Sequence, residues 1–137
     1  MNERKTALDI NCDLGEGMPN DALLMPFLGS CNIACGGHFG DMETMGEAIQ
    51  LAKANNVNVG AHPSYPDREN FGRKNQNLDL KILEESLFTQ ITNFEKACIS
   101  QNIEMHHIKP HGALYNDLAK DKNLASFFLK LIQMHFQ

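Results

Sequence analysis

No run in this chain approaches the roughly 20 consecutive apolar residues that a membrane-spanning helix needs, so no membrane span is expected. Basic residues are scarce as well: 12 Lys and Arg face 17 Asp and Glu, for a net charge of -5. Without a clustered basic stripe there is little to neutralise phosphates, which argues against nucleic acid as a partner. Met1 to Thr6 is polar and no long apolar run follows it, so no secretory leader is expected and a cytoplasmic location is. The phosphate-binding pattern G-x-x-x-x-G-K-[ST] is missing; the Gly36-Gly37 pair lacks the Lys and the hydroxyl residue that would follow. ATP is therefore not expected to bind to this chain itself. A local H-E-x-x-H metal motif is also absent. The four cysteines, Cys12, Cys31, Cys35 and Cys98, fit neither a C-x-x-C redox pair nor a paired zinc framework, and read as reduced, buried small hydrophobes. Tandem repeats, low-complexity tracts and linkers are lacking too, so residues 1–137 are expected to form one domain.

What is present is an alternation of short strand-like runs with helical patterns. Leu8 to Leu14, Cys31 to Cys35, Val57 to Ala61 and Ile103 to Lys109 read as strands, the last ended by Pro110. Between them, a helix capped by Asp41 and running to about Asn55 would bury Met45, Ala48, Ile49 and Ala52. A second, capped by Asp79, repeats Leu80, Leu83, Leu87, Ile91, Phe94 and Cys98 at helical spacing. A third opens near Asp121 and turns Leu124, Phe127, Phe128 and Leu131 inward. Pro63 to Asn77 is polar and rich in turn formers, as a loop should be. This alternation predicts an α/β fold, a parallel sheet of about four strands covered by helices joined through right-handed crossovers. Functional groups in such folds gather at the C-terminal ends of the strands.

Parity along each strand separates two faces. Leu8, Ile10, Cys12 and Leu14 alternate with Asp9, Asn11 and Asp13. Val57, Val59 and Ala61 alternate with Asn58, Gly60 and His62, and His106 and Ile108 alternate with His107, Lys109 and His111. The strand ends therefore deliver Asn11, Asp13 and Glu16; Asn32, His38 and Asp41; His62; and Lys109 with His111. A sheet interior rejects unpaired polar groups at a cost of about 1–3 kcal/mol each. Their convergence on one face thus points to a site.

Each residue also has a plainer reading. Asp13 could cap a turn, His38 could be a hydrogen-bonded loop histidine, and Asp41 could serve only as a helix cap. Arg73, in Phe71-Gly72-Arg73, is either an exposed loop cation or a bidentate clamp on a carboxylate. Tyr65 and Tyr115 either donate hydrogen bonds or pack. His106 and His135 read as structural or exposed, and His107 is undecided. Asp13 with His38, His62 and His111 is a donor set suited to zinc or a similar divalent ion. Lys109 and His111 bracket Pro110 in a rigid unit that needs an anionic partner.

Four segments resemble signatures of one known family. They are Asp9-Ile-Asn-Cys-Asp-Leu-Gly-Glu16, Cys31-Asn-Ile-Ala-Cys-Gly-Gly-His-Phe-Gly-Asp41, Gly60-Ala-His-Pro-Ser-Tyr-Pro-Asp67 with Phe71-Gly-Arg73, and Lys109-Pro-His-Gly-Ala-Leu-Tyr-Asn116. In order and spacing they resemble the LamB/YcsF family. That resemblance implies part of a seven-stranded β/α barrel similar to the glycoside hydrolase and deacetylase superfamily. It implies ATP-dependent opening of the lactam 5-oxoproline to glutamate, together with partner subunits B and C; because this chain lacks a phosphate loop, ATP is expected to bind to those partners. The positions carried over are Asn11, Asp13, Glu16, His38, Asp41, His62, Arg73, Lys109, His111 and Tyr115. Assigned roles are catalysis for Asp13, Lys109 and His111, and substrate binding for Asn11, Glu16, Asn32, Asp41, Arg73 and Tyr115. A divalent metal ion would fall to Asp13, His38, His62 and His111.

Two departures from the family stand out. Gly37 takes a place where an aromatic is common, which should loosen the loop under His38. The chain is also short, with four β/α units where a closed barrel needs more, so a homo-oligomer or larger assembly is expected. The alternatives are a metal-dependent, carbohydrate-directed deacetylase and an inactive remnant that acts only in assembly.

Overall fold

The computed structural model describes residues 8–136; the polar Met1 to Thr6 stretch lies outside them. Four strands, β1 (Asn11–Leu14), β2 (Ser30–Ala34), β3 (Asn58–His62) and β4 (His107–Ile108), form one sheet in the order β1-β2-β3-β4. Every pairing is parallel. Helix α1 (Asp21–Leu24) and a 3-10 turn (Met25–Phe27) connect β1 to β2, helix α2 (Met42–Ala54) connects β2 to β3, and helix α3 (Leu80–Ser100) connects β3 to β4. Helices α4 (Gly112–Lys120) and α5 (Lys122–His135) follow β4. Among the described residues no helix is long and apolar enough to cross a membrane.

The apolar parity of the sheet packs under the helices. Leu14, Cys31, Ile33, Val59 and Ala61 join Met45, Ile49, Ile91, Phe94 and Cys98 in one buried cluster. A second cluster joins Tyr65, Leu83, Leu87, Ala113, Leu114, Phe128 and Leu131. The α2 face bears out its periodicity: Met45, Ala48, Ile49 and Ala52 are all buried. On α3, Leu83, Leu87, Ile91, Phe94 and Cys98 are buried, whereas Leu80 at the first position stays 51% exposed.

Both long crossovers end in the same way. Asn56 and Asn102 take the left-handed conformation just past α2 and α3, at φ 54° and 57°. Val57 N–H then returns to the Ala52 carbonyl, and Ile103 N–H to that of Cys98. This paired closure satisfies the last carbonyls of each helix and aims the chain into the next strand.

Four local expectations need correcting. The first strand begins at Asn11, not Leu8, and Leu8 and Ile10 are 73% and 55% exposed. Alternation alone suggested a longer strand, but among the described residues nothing buries Leu8 and Ile10. The fourth strand shrinks to His107–Ile108, extended on either side by His106 N–H to Val59 O and Lys109 N–H to Ala61 O. Residues after Pro110 form α4 before α5 begins; Pro110 ends the strand without breaking the chain into a loop. Gly37 does not loosen its loop. A Cβ there would collide with Ser64 Oγ and Gln90 Oε1, and the Gly37 carbonyl accepts from Asp67 N–H. The glycine is the close-packed floor beneath His38.

Candidate functional site

The polar parity of the sheet forms a lateral row. In register, Asp13 lies beside Asn32, Asn32 beside Gly60, and Gly60 beside His107. Gly60 has no room for a side chain: a Cβ would collide with the His107 ring at Nε2. The His107 ring therefore crosses the glycine and donates from Nε2 to Asn32 Oδ1, at 2.6 Å. Asn32, almost fully buried, uses its amide to donate to Asn11 Oδ1 at 2.9 Å and Asp13 Oδ1 at 3.0 Å. One amide thus ties β1, β2 and β4 together across the sheet. Burial, with the neighbouring His106 adding to it, pushes the His107 pKa down, which keeps this donor neutral.

Asp13 lies at the centre of the rim. Its Oδ1 also accepts from Lys109 Nζ at 3.0 Å, and its Oδ2 lies 3.4 Å from His62 Nε2. Burial works to raise its pKa, but the adjacent His62 and the bonds from Lys109 and Asn32 outweigh it and hold the carboxyl well below the usual carboxylate range. Asp13 and Lys109 are each a little over one-third exposed and line a cleft of about 370 Å³ with Asn11, Met18 and Asn20. A separate cavity of about 630 Å³ lies among α3, β4 and α5 and touches this network at His107.

Behind Asp13 lie three buried histidines, His38, His62 and His111. Each has one ring nitrogen committed to a fixed partner. His62 Nδ1 faces the Lys109 carbonyl at 2.6 Å, and His111 Nε2 faces the Phe71 carbonyl at 2.8 Å; a carbonyl only accepts, so both nitrogens donate. His38 Nδ1 meets Ser64 Oγ at 3.0 Å, and that hydroxyl already donates to the Tyr65 carbonyl, so His38 Nδ1 is again the donor. The remaining nitrogens turn inward. His62 Nε2 and His111 Nδ1 are 3.0 Å apart, and His38 Nε2 is 3.3 Å from Glu16 Oε2. Despite that proximity His38 Nε2 makes no hydrogen bond and is buried. His38 and His111 stack with centroids 3.6 Å apart, and His62 stands edge-on to both. Burial and the adjacent His38 push the His111 pKa down to about 4, although the Phe71 carbonyl opposes them.

Local backbone makes this packing feasible. Gly72, at φ +64°, lets the loop pass over the cluster; a Cβ there would be 3.0 Å from His38 Cβ and 3.1 Å from His111 Cδ2. Glu16, His38, His62 and His111 form a group whose donor atoms all lie within 4.8 Å of one another and could hold a metal ion. The sequence grouping named Asp13 rather than Glu16 as the carboxylate. In the structure Asp13 Oδ1 is taken by Lys109 and Asn32, while Glu16 faces the orphaned His38 nitrogen.

Other sequence candidates fall at the edges. Asp41 caps α2, accepting from Thr44 N–H at 2.9 Å in a reciprocal box with the Thr44 hydroxyl. Arg73 is exposed, with its guanidinium carbon 5.2 Å from the Phe71 ring centroid. Tyr115 is 53% exposed on α4. Tyr65 is buried and donates to Asp117 at 2.6 Å, a packing role. Sequence reasoning passed over Ser64 and Gln90. Gln90, from α3, accepts from Ser64 N–H and donates to its carbonyl, locking the hydroxyl that orients His38. Nothing in the spacing signals a contact between residues 26 positions apart.

Comparison with known proteins decides the family. Residues 8–136 match the model of the LamB/YcsF family. The chain belongs to the LamB/YcsF family. This LamB/YcsF chain is 44% identical over 126 residues to the 5-oxoprolinase A-subunit of Histophilus somni (strain 129Pt), covering 92% of itself and 51% of that protein. It is 45% identical over 118 residues to the 5-oxoprolinase A-subunit of Haemophilus influenzae (strain PittEE), covering 86% of itself and 48% of that protein. The crystal structure of the lactam utilization protein from Thermus thermophilus superposes with a TM-score of 0.88 at 34% identity, over 93% of this chain and 53% of that one. The chain therefore spans about half the length of the relatives it matches, and its four strands and helices correspond to part of their β/α barrel.

Proposed function

We propose that this chain carries the strand-end part of the catalytic site in a 5-oxoprolinase, the part that opens the lactam of 5-oxoproline to glutamate. Supporting this reading is one observation above all: a buried amide, Asn32, fixes the Asp13–Lys109 pair at the mouth of a cleft. Relatives named for this activity match over 92% and 86% of the chain.

A lactam amide is unreactive toward water. ATP, bound by partner subunits B and C, would phosphorylate its oxygen, with loss of the ring N–H proton. Water then adds to the ring carbon, the C–N bond breaks with a proton passing to nitrogen, and a γ-acyl phosphate remains. A second water releases phosphate and leaves glutamate. Asp13 accepts a hydrogen bond from the attacking water and takes its proton. At rest the Lys109 bond weakens Asp13 as a base. As Lys109 turns toward the charge developing on the substrate, that bond is lost and the carboxylate becomes more basic. Asn32, itself bonded to Asn11, holds Asp13 in place, while the exposed Arg73 and Tyr115 would offer contacts for the substrate carboxylate. A divalent ion held by the histidine cluster would supply a Lewis acid beside the reacting carbonyl.

Reconstitution tests this. The chain, mixed with purified B and C subunits, ATP and 5-oxoproline, should release glutamate. Asp13→Ala and Lys109→Ala should each slow release by about 10²- to 10⁴-fold. Full activity in both variants, or no glutamate from the unaltered chain, removes the proposal. The histidine and glutamate cluster favours one second reading, metal-dependent deacetylation of a carbohydrate. Turnover of an acetylated sugar without B, C or ATP would select it.

A further inference from the structure

We infer that Glu16, His38, His62 and His111 form a specific site for one divalent transition-metal ion of the zinc and cobalt class, with Asp13 outside the ligand set. The inference rests on hydrogen-bond bookkeeping within the cluster. A neutral imidazole has one N–H and one lone pair. Lys109 O, Phe71 O and Ser64 Oγ take the N–H of His62, His111 and His38 in turn. The three nitrogens that keep their lone pairs then lie in one group with the Glu16 carboxylate, all within 4.8 Å of one another. Two of them, on His62 Nε2 and His111 Nδ1, meet at 3.0 Å with no hydrogen between them. The third, on His38 Nε2, is buried with no hydrogen-bond partner and has the Glu16 carboxylate 3.3 Å away. Facing lone pairs repel, and an unsatisfied buried nitrogen is costly. A single cation at their centre resolves both.

A proton on His62 Nε2 is the competing occupant. It would join His62 to His111 and favour Asp13, but would leave the His38 nitrogen orphaned. A second proton, on His38 Nε2 and shared with Glu16 Oε2 at 3.3 Å, would be needed to satisfy that atom, whereas one cation answers both needs at once.

The donor set also fits the class. Nitrogens around a tetrahedral zinc stand about 2.0–2.1 Å from the metal, which places them slightly more than 3 Å apart, close to the His62–His111 separation of 3.0 Å. Three imidazoles and one carboxylate select zinc, cobalt or nickel over magnesium and calcium, which take oxygen donors. Carbonyl and hydroxyl partners on the far nitrogens are the outer contacts that ligating histidines characteristically make. His38 and His111 lie in a near-parallel stack, 7° from coplanar. Lone pairs of parallel rings do not converge, so binding tilts one ring against the other.

This deepens the hydrolase reading of the same site, but its test is independent of turnover. The full chain is stripped with a chelator and titrated with cobalt(II), then with zinc(II). One equivalent should bind, with the intense visible bands of a four-coordinate cobalt site, and zinc should displace it. Glu16→Gln and His38→Gln should weaken binding by about 10-fold or more, and Ser64→Ala by about 10- to 100-fold through loss of the His38 orientation. Circular dichroism checks that each variant is folded; Glu16 is only partly buried, so its variant answers the question even where His38→Gln does not fold. Absence of cobalt bands, or equal affinity in Glu16→Gln and the unaltered chain, overturns the site. Glutamate release at full rate from the metal-free chain would leave the hydrolase proposal standing. Metal bound tightly in a chain that never releases glutamate would do the reverse.

Discussion

Asn32 shows how much one side chain can decide. Its amide serves three partners on two other strands, and no water-exposed rearrangement can replace them. Asn32→Ala strands the His107 donor and frees Asp13 on one side. We expect a loss of about 1–3 kcal/mol in stability, read from the urea midpoint at unchanged slope. Gly60→Ala acts on the same row from the opposite direction. The new methyl would meet the His107 ring, so about 1–3 kcal/mol should again be lost, and proton spectra of His107 should shift. Cysteines give a chemical check on burial. Burial pushes the thiols of Cys31, Cys35 and Cys98 up to about 12. Thiolate is the reactive form and is scarce far below that value. A disulfide reagent at pH 8 should therefore titrate no more than the half-buried Cys12 in the native chain, and all four thiols after denaturation. Rapid native reaction of three or more would contradict the packing.

At the level of elements, α2 separates a capping role from a ligand-binding one. Asp41 is exposed and tied to Thr44, so Asp41→Ala should cost about 0.5–2 kcal/mol of stability and leave cobalt affinity unchanged; a change in affinity would return Asp41 to the site. The same element explains what the sequence made legible. Met45, Ala48, Ile49 and Ala52 repeat at helical spacing and all face the sheet, because one long amphipathic stripe has one place to go. Strand parity was readable where the strands hold: Asn11, Asp13 and His107 meet Asn32 across one face, whereas Lys109 and His111 lie past the end of β4 and reach Asp13 and His62 from there. Leu8 and Ile10 misled, since alternation records the potential for burial and the covering helix has to come from elsewhere. Helix α4 was missed because Lys109-Pro110-His111 reads as a stop, while its buried Ala113 and Leu114 offer too short a pattern to argue otherwise. The choice of Glu16 over Asp13 beside His38 was out of reach. It depends on which carboxylate Lys109 and Asn32 capture, and that is settled only when β4 lies down against β3.

For the whole molecule, the sheet ends abruptly on both sides. Among the described residues β1 pairs only with β2, and β4 only with β3. Beside β1, Leu8, Ile10, Leu23 and Phe27 are each more than half exposed. Open edges and bare apolar groups drive association. Sedimentation velocity should show the chain self-associating as its concentration rises, and Ile10→Lys should shift it toward monomer. A chain that stays monomeric throughout would show that these edges tolerate water. Consecutive strand order carries a further implication. Each strand adheres to the one laid down just before it, so the bonds that link Asp13, His62, Lys109 and His111 need no strand laid down later.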